Sequence, residues 1–313
     1  MGGRKNSRVL LIGLGQIGYA NAEYMAGQGN AIDGYDLDKR AIQRALDAGT
    51  IAGEAEDFRD YDYYVVCIST HNPDDMSKPY MNGLFDVARR IGREGKDGAL
   101  VAIESTVAPG ATSEVNRILG HRLHVAHFPH RYFFKETAEH GVRQLRVLGG
   151  CLPCCTYEAR RFYEVILGIP VHIVSAVVYA ELSKIIENSY RFLDIAYAEE
   201  LKMFCDAHGL SFVELRNALN TKWNVEVLEA RAGIGGHCLP KDSQMYLEMA
   251  MRVLNESLLG SAKEVDRNYR LSLAHSVESL ESLQPKPELA EEPILTSEAV
   301  EIKRKGSILK VVE

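Results

Sequence analysis

The chain has 313 residues, 46% of them hydrophobic, and carries a formal net charge of −7. This length and composition are typical of a globular protein of about two domains. The acidic balance disfavours nucleic acid or an anionic membrane surface as a partner. The chain shows neither a membrane-spanning stretch nor a signal peptide, and its six cysteines are interpreted as free thiols, so a cytoplasmic location is expected.

A glycine-rich turn lies near the start of the chain, between a strand and a helix. Val9 to Ile12 is an apolar run of strand length, and Gly13, Gly15 and Gly18 follow in G-x-G-x-x-G spacing. Such glycines let a backbone turn tightly, approach a pyrophosphate and pack helix on strand. A second strand ends at Asp36, which can accept hydrogen bonds from a ribose diol and would repel a 2′-phosphate. NAD is therefore the predicted cofactor, and the alternative is a glycine-rich turn of some other α/β protein.

Strands and helices continue to alternate up to residue 178. Strands are predicted at 63–69, 99–105, 123–128, 145–150 and 171–174, with helices at 78–94, 111–119 and 156–167. This order predicts the α/β class, with a Rossmann-type doubly wound parallel sheet in residues 1–178. Ligands of such sheets bind beyond the C-terminal ends of the strands. The predicted cofactor-binding residues are Gly13, Gly15, Gln16, Ile17, Gly18, Asp36, Ser69, Thr70 and Thr106. From spacing alone, Thr106 is also a candidate helix cap.

The second half of the chain is predicted to be helical. A long helix covers 179–208, and its length of about 45 Å suggests a connecting spine that also forms a homodimer surface. Further helices are predicted at 211–219 and from Lys241 to about Leu259. Residues 179–283 are thus an all-helical domain, and residues 284–313, rich in proline and glutamate, are a linker-like tail.

Two groups of polar residues in the helical half are candidates for chemistry. Glu181, Lys184 and Asn188 fall on one face of the long helix, where the alternative is an exposed ion pair with a solvated amide. In "GIGGHCLPKD", Cys238 follows a glycine run and precedes a lysine and Asp242. A thiolate needs cations or backbone donors nearby, and this segment offers both. The alternative is that Cys238 is a small buried residue.

Four segments together resemble the UDP-glucose/GDP-mannose dehydrogenase family. They are the glycine fingerprint, "ESTVAPG" (104–110), "AELSKIIENS" (180–189) and "GIGGHCLPKD" (233–242), in the order and spacing of that family. The resemblance covers Arg8 to roughly Leu280. It implies an NAD-dependent, four-electron oxidation of a nucleotide-sugar C6 alcohol to a carboxylate. It also implies an NAD domain, a helical dimerising domain and a C-terminal domain that helps to hold the nucleotide.

The resemblance assigns roles to the matching residues. Cys238 would capture the aldehyde as a thiohemiacetal and then carry a thioester, and Asp242 would accept a proton with a water. Lys184 and Asn188 would stabilise negative charge on the sugar oxygen, and Thr106 would position water or nicotinamide. The substrate-binding residues so implied are Glu181, Lys184, Asn188, Gly235 and Gly236.

The sequence departs from the family in two places. His130 stands where the family commonly has a glutamate that helps to hydrolyse the thioester. An imidazole can replace that base, or hydrolysis is impaired, or His130 is a structural loop residue. No third domain is expected after Leu283. The substrate is then held by two domains and a dimer mate, or a separate subunit completes the nucleotide site, or the substrate is smaller.

No metal site is expected from the sequence. His124, His127 and His130 are close in sequence, but strand alternation puts the first two on opposite faces. The segment "CLPCC" (151–155) has no second Cys/His pair at suitable spacing, so packing between strand and helix is the expected role of its cysteines.

Two other functions stay open at this point. One is a two-electron NAD dehydrogenase of the hydroxyacid or 6-phosphogluconate type, which would not need Cys238. The other is a catalytically idle NAD-binding subunit, which would not need Cys238, Lys184, Asn188 and Asp242 together.

Overall fold

The structure, a computed structural model, describes residues 7–75 and 78–283. The predicted tail at 284–313 lies outside the described residues. Within them the strands are β1 Arg8–Ile12, β2 Ala31–Tyr35, β3 Gly53–Glu54, β4 Tyr63–Val66, β5 Leu100–Ile103, β6 His124–His127, β7 Arg146–Gly150 and β8 Val171–Ile173. The helices of the same half are α1 Gln16–Gly27, α2 Lys39–Asp47, α3 Asn82–Glu94, α4 Ala111–Ile118, α5 Thr137–His140 and α6 Pro153–Arg160, which continues as a π-helical turn over Arg161–Ile166.

The strands form one sheet in the order β3-β2-β1-β4-β5-β6-β7-β8. The neighbouring strands run parallel, as predicted, except that β6 and β7 pair antiparallel through Ala126 with Gly150 and His127 with Gly149. The order reverses at β1 and β4, where a doubly wound sheet opens its ligand crevice. The predicted Rossmann-type α/β fold is therefore confirmed.

The two faces of the sheet are covered by separate apolar layers. Val9 and Leu11 of β1 pack in one layer with α1 and α6, whereas Leu10 and Ile12 pack in the other with α3 and α4. All four of these side chains are buried. Alternate residues of a strand point to opposite faces, so an unbroken apolar strand requires helices on both sides.

The second half is helical, as predicted, but one helix boundary differs. The helices are α7 Val177–Ala207, α8 Phe212–Leu219, α9 Cys238–Ala250 and α10 Leu258–Leu283. The predicted helix from Lys241 to about Leu259 is wrong at both ends, because α9 begins at Cys238 and the chain turns after Ala250. The next helix starts where the Ser257 hydroxyl accepts the Leu259 N–H at 3.3 Å, an N-terminal capping bond.

Residues up to Leu271 form one compact unit, and a second, smaller unit begins at Ser272 within α10. The division at residue 178 into a cofactor domain and a helical domain stays a prediction. Among the described helices, none combines the length and apolar character needed to cross a bilayer.

Glu199 on α7 is a carboxyl group buried without a hydrogen-bond partner among the described residues. Its side chain is 0% exposed, and neither carboxyl oxygen has a partner there. Burial, with a further contribution from the Asp266 carboxylate, raises the pKa of Glu199 to about 7. The folded protein therefore holds a proton on this group that the unfolded chain releases near pH 4.3.

We expect Glu199→Gln to flatten the dependence of stability on pH. The folded-state pKa is raised, so the stabilisation is complete below about pH 4.3 and is lost as pH rises through 7, a difference of about 4 kcal/mol. Urea unfolding at several values between pH 5 and 8 measures this slope. Glu200→Gln changes the exposed neighbour and should keep the wild-type slope. Equal slopes for the wild type and Glu199→Gln would contradict the assignment.

Candidate active site

The glycine turn after β1 has the close contacts expected of a dinucleotide loop. Gly13 has φ +94°, and a Cβ there would lie 2.5 Å from the Cys67 carbonyl oxygen. A Cβ on Gly18 would lie 1.8 Å from the Gly13 carbonyl oxygen, so helix and turn need both glycines. No atom lies within 4 Å of the Cβ position of Gly15, which leaves open space beside the backbone.

The first turn of α1 is suited to an anion. The helix begins at Gln16 with no side-chain cap and no acidic residue in its first turn. Its N–H groups therefore face the open space beside Gly15 and carry the positive end of the helix dipole. Gln16, Ile17 and Gly18, which were predicted to bind the cofactor, form this turn.

A cavity of about 600 Å³ lies beside the glycine turn. Among its lining residues are Gly13, Gly15, Asp36 and Ser69, four of the predicted cofactor residues. The Asp36 carboxylate accepts the N–H of Leu14 at 2.6 Å and that of Asp38 at 2.8 Å, which fixes its position at the end of β2. The open loop, the uncapped helix and the fixed carboxylate fit the pyrophosphate and ribose of NAD.

Thr70 and Thr106 lie beyond the ends of β4 and β5 and are bonded to each other. The Thr70 hydroxyl donates to the Thr106 carbonyl oxygen at 2.7 Å. Thr106 is not a helix cap, because α4 begins after Gly110 and no side chain of the capping residue bonds to it. That cap is provided by Glu181, whose carboxylate accepts the N–H of Gly110 at 2.7 Å and of Thr112 at 2.8 Å.

Glu181 is fully buried and both of its oxygens are engaged at the start of α4. The exposed ion pair considered for this face of α7 is therefore wrong. The substrate-binding role of Glu181 stays a prediction, and its observed contact positions α7 against the sheet. Asn188, two turns further along α7, is also buried.

The side chains after Cys238 form a buried polar cluster. The Asn188 amide donates to Asp242 Oδ2 at 2.5 Å, and Lys241 Nζ lies 3.1 Å from Asp242 Oδ1. Lys241 Nζ also donates to the Thr70 hydroxyl at 3.3 Å. Lys241 and Asp242 are 2% and 1% exposed. This cluster joins α9 to α7 and to the cofactor edge of the sheet.

Lys184 lies close enough to Cys238 and Asp242 for their charges to interact. Burial lowers the pKa of Lys184, and the two acidic groups act in the opposite direction. A second cavity of about 980 Å³, open to solvent, is lined by Lys184 and Asn188 together with Arg131, Glu187 and Arg191. These side chains offer cations and an amide to a bound anion.

Cys238 is exposed at the first position of α9. The ring of the preceding His237 lies 5.7 Å from that of His71, centroid to centroid. His71 in turn lies beside Ser69, a residue of the cofactor cavity, with 3.2 Å between His71 Nδ1 and Ser69 Oγ. The thiol therefore stands next to the mouth of the cofactor crevice and is not walled off by aliphatic side chains.

Side chains of α10 bond to the backbone of the glycine loop before Cys238. Asp266 Oδ1 accepts the Ile234 N–H at 2.7 Å, and the Tyr269 hydroxyl donates to the Arg231 carbonyl oxygen at 2.7 Å. Gly236 has φ +79°, and no atom lies within 4 Å of the Cβ positions of Gly235 or Gly236. The two glycines thus border free space, as close approach of a substrate requires.

His130 is buried against a carboxylate that the sequence interpretation missed. Its Nε2 contacts Glu104 Oε2, and the imidazole is 7% exposed. Glu104 also accepts Arg146 Nη2 at 2.5 Å, Tyr163 Oη at 2.5 Å and Asn21 Nδ2 at 2.9 Å. Burial, together with Arg146, lowers the pKa of His130 to about 4.

At neutral pH His130 is therefore an uncharged imidazole and a weak base. Its role in thioester hydrolysis stays a prediction. Glu104 has its pKa lowered because Arg146 and His130 together outweigh the effect of burial. In the sequence, the one sign of this network is Glu104, an acidic residue directly after the apolar run of β5 in "LVAIE".

Comparisons with known proteins agree with this arrangement. Residues 178–268 match the model of the UDP-glucose/GDP-mannose dehydrogenase family, central domain. The chain is 27% identical over 272 residues to UDP-N-acetyl-D-mannosamine dehydrogenase of Pyrococcus horikoshii, covering 78% of this chain and 64% of that protein. It is 27% identical over 292 residues to NDP-N-acetyl-D-galactosaminuronic acid dehydrogenase of Ralstonia nicotianae, covering 82% of this chain and 68% of that protein.

A solved structure resembles the fold over most of the chain. That of UDP-D-ManNAc dehydrogenase from Pyrococcus horikoshii superposes with a TM-score of 0.75 at 26% identity, covering 88% of this chain and 72% of the other. The chain thus spans about two thirds of the length of the curated relatives it matches. The Rossmann-type sheet, the long α7 and the central-domain match over residues 178–268 make this chain similar, over most of its length, to dehydrogenases of the UDP-glucose/GDP-mannose dehydrogenase family.

Proposed function

We propose that this chain oxidises the C6 alcohol of a nucleotide sugar to the carboxylate, with NAD as acceptor and Cys238 as the covalent nucleophile. The main support for this proposal is the position of Cys238. It is exposed at the start of α9, beside the segment that lines the cofactor cavity. The relatives named UDP-N-acetyl-D-mannosamine dehydrogenase and NDP-N-acetyl-D-galactosaminuronic acid dehydrogenase support a UDP-N-acetylhexosamine as substrate class.

The side chains around the Cys238 thiol have separate roles in the proposed reaction. NAD held by the glycine turn and Asp36 would supply the hydride acceptor, one molecule for the oxidation of the alcohol and a second, after exchange, for that of the thiohemiacetal. The Cys238 thiolate adds to the aldehyde carbon, and water later cleaves the resulting thioester, which returns the thiol. Lys184 and Asn188 stabilise the anionic oxygen of the sugar carbon. Asp242, held by Asn188 and Lys241, accepts the proton of the attacking water.

Asp242 is a better placed proton acceptor than His130. The Asp242 carboxylate lies four residues after Cys238, one turn along the helix that begins with this cysteine. His130 is buried against Glu104 with its pKa lowered to about 4. We therefore assign water activation to Asp242. His130 would instead hold the buried Glu104 carboxylate in position.

Cys238→Ser tests the covalent step directly. We expect the wild type to form two NADH per sugar when it is incubated with NAD and a panel of UDP-hexoses and UDP-N-acetylhexosamines. The variant should lose the second oxidation and at least about 1,000-fold in turnover, because a serine hydroxyl is a far weaker nucleophile. NADH absorbance and mass spectrometry of the sugar product measure both quantities.

Cys154→Ser is the matched control, since Cys154 and Cys238 are both exposed thiols. It should keep the yield of two NADH. Full turnover of Cys238→Ser with one NADH per substrate would instead favour a two-electron dehydrogenase. Binding of NAD without reduction on any sugar would favour an idle subunit.

Asp36→Asn tests the cofactor. The amide can still accept the Leu14 N–H but no longer presents a charge to the ribose. We expect the KM for NAD to rise about tenfold, with kcat little changed, and the preference for NAD over NADP to fall by at least as much. Initial rates with both cofactors measure the change. Asp38→Asn, which keeps the α2 capping oxygen, is the control. An unchanged preference for NAD over NADP would contradict this role of Asp36.

We further propose that two copies associate along α7. Of the large apolar side chains exposed on it, five lie at intervals of seven, four, seven and seven residues: Tyr179, Ile186, Tyr190, Tyr197 and Phe204. This spacing sets them on one stripe of the helix, and such exposed patches mark interfaces. The open cavity lined by Lys184 and Asn188 includes Tyr179, Ile186 and Tyr190, so a second copy would also close the site.

We expect the protein to elute as a dimer and Tyr190→Glu combined with Tyr197→Glu to elute as a monomer, because buried charges oppose association. Light scattering coupled to gel filtration measures the mass. Tyr157→Glu changes an equally exposed tyrosine of α6 and should leave the dimer intact. A wild type that is monomeric at tens of micromolar would contradict the proposal.

A further inference from the structure

Three side chains with soft metal-binding atoms lie close together at the edge of the sheet opposite the cofactor cavity. They are the His124 imidazole and the thiols of Cys154 and Cys155, whose ligand atoms all lie within 4.8 Å of one another. Within the described residues this is the one cluster of three or more His, Cys, Asp or Glu side chains at metal-binding distances. The reaction proposed above uses none of these side chains.

The antiparallel pairing of β6 and β7 creates the cluster. Because β7 runs back along β6, the chain leaves β7 at Gly150 near the start of β6, where His124 lies. The Cys151 N–H donates to the Val125 carbonyl oxygen at 3.0 Å, which ties the turn to that strand. A Cβ on Gly150 would lie 2.4 Å from the Thr156 N atom, so the missing side chain lets α6 start directly above the strand.

The start of α6 places two of the three donors side by side. Cys154 and Cys155 fall within the first three residues of the helix, after Leu152, which provides no side-chain cap. Both thiols are therefore carried by one helix end, opposite the His124 imidazole of β6.

We propose that His124, Cys154 and Cys155 bind one zinc-class divalent ion, with a water or an external ligand in the fourth position. Tetrahedral S₂N coordination places ligand atoms about 3.5–3.8 Å apart, so the observed cluster closes around an ion by small side-chain rotations. Two thiolates and one imidazole select zinc over magnesium or calcium, which prefer oxygen ligands.

The burial of the three residues fits an ion that can enter from solvent. Cys155 is buried, His124 is partly buried and Cys154 is exposed.

The experiment uses the full chain, freshly reduced and stripped of metal, and titrates it with Co²⁺ and then with Zn²⁺. We expect one equivalent of Co²⁺ to give thiolate-to-cobalt absorbance near 350 nm and tetrahedral bands between about 600 and 750 nm. One equivalent of Zn²⁺ should displace the cobalt and raise the melting temperature.

Single substitutions locate the site. Cys154→Ser and His124→Asn each remove one donor, and loss of a ligand should weaken Co²⁺ binding by about 100-fold or more. Cys154 is exposed, so its replacement does not endanger the fold. Cys238→Ser removes the other exposed thiol and serves as the control, with unchanged binding expected.

Three outcomes would overturn the proposal. They are no thiolate-to-cobalt absorbance at millimolar Co²⁺, equal binding by the wild type and both ligand variants, and loss of the signal in Cys238→Ser. The readout is spectroscopic and needs no activity, so its result is independent of the proposed dehydrogenase reaction.

Discussion

The buried pair of Lys241 and Asp242 is the interaction on which the rest of the site depends. Neither side chain reaches solvent, so each charge must be satisfied inside the protein. Lys241 does this by bonding to Thr70, 171 positions earlier in the chain, and Asp242 by bonding to Asn188 on α7. Removing one partner of such a pair typically costs about 3–5 kcal/mol. The start of α9, and with it Cys238, is thus fixed relative to both the cofactor edge and the long helix.

A second buried charge, that of Glu104, determines the surroundings of His130. Glu104 accepts hydrogen bonds from Asn21, Arg146 and Tyr163, and its remaining contact is the His130 ring. A glutamate at 130 would set two carboxylates against each other in a dry space, where like charges repel strongly. A neutral imidazole at 130 is compatible with the buried carboxylate of Glu104. The proton acceptor that we propose is Asp242, the carboxylate nearest to the thiol in sequence.

The sequence predicts features that depend on local spacing and misses those that depend on pairing across the fold. The glycine turn, Asp36 and the long α7 are local, because they need only a strand, a helix and their junction. The break between α9 and α10 is also local, but the apolar pattern hides it and only Ser257 marks it. By contrast, the capping role of Glu181 depends on Gly110, 71 positions away, which the spacing along one helix does not reveal.

The cluster of His124, Cys154 and Cys155 is missed by the sequence for the same reason, because it depends on strand pairing. From the sequence, "CLPCC" lacks a second donor pair, and the strand pattern separates His124 from His127. The donor that completes the set is His124, which reaches the cysteines only because β7 pairs antiparallel with β6. In a parallel arrangement the chain would leave β7 at the opposite edge, beside the cofactor crevice. The one reversed strand thus keeps two exposed thiols apart: Cys154 stands at the edge where β6 begins, and Cys238 at the edge where the parallel strands end.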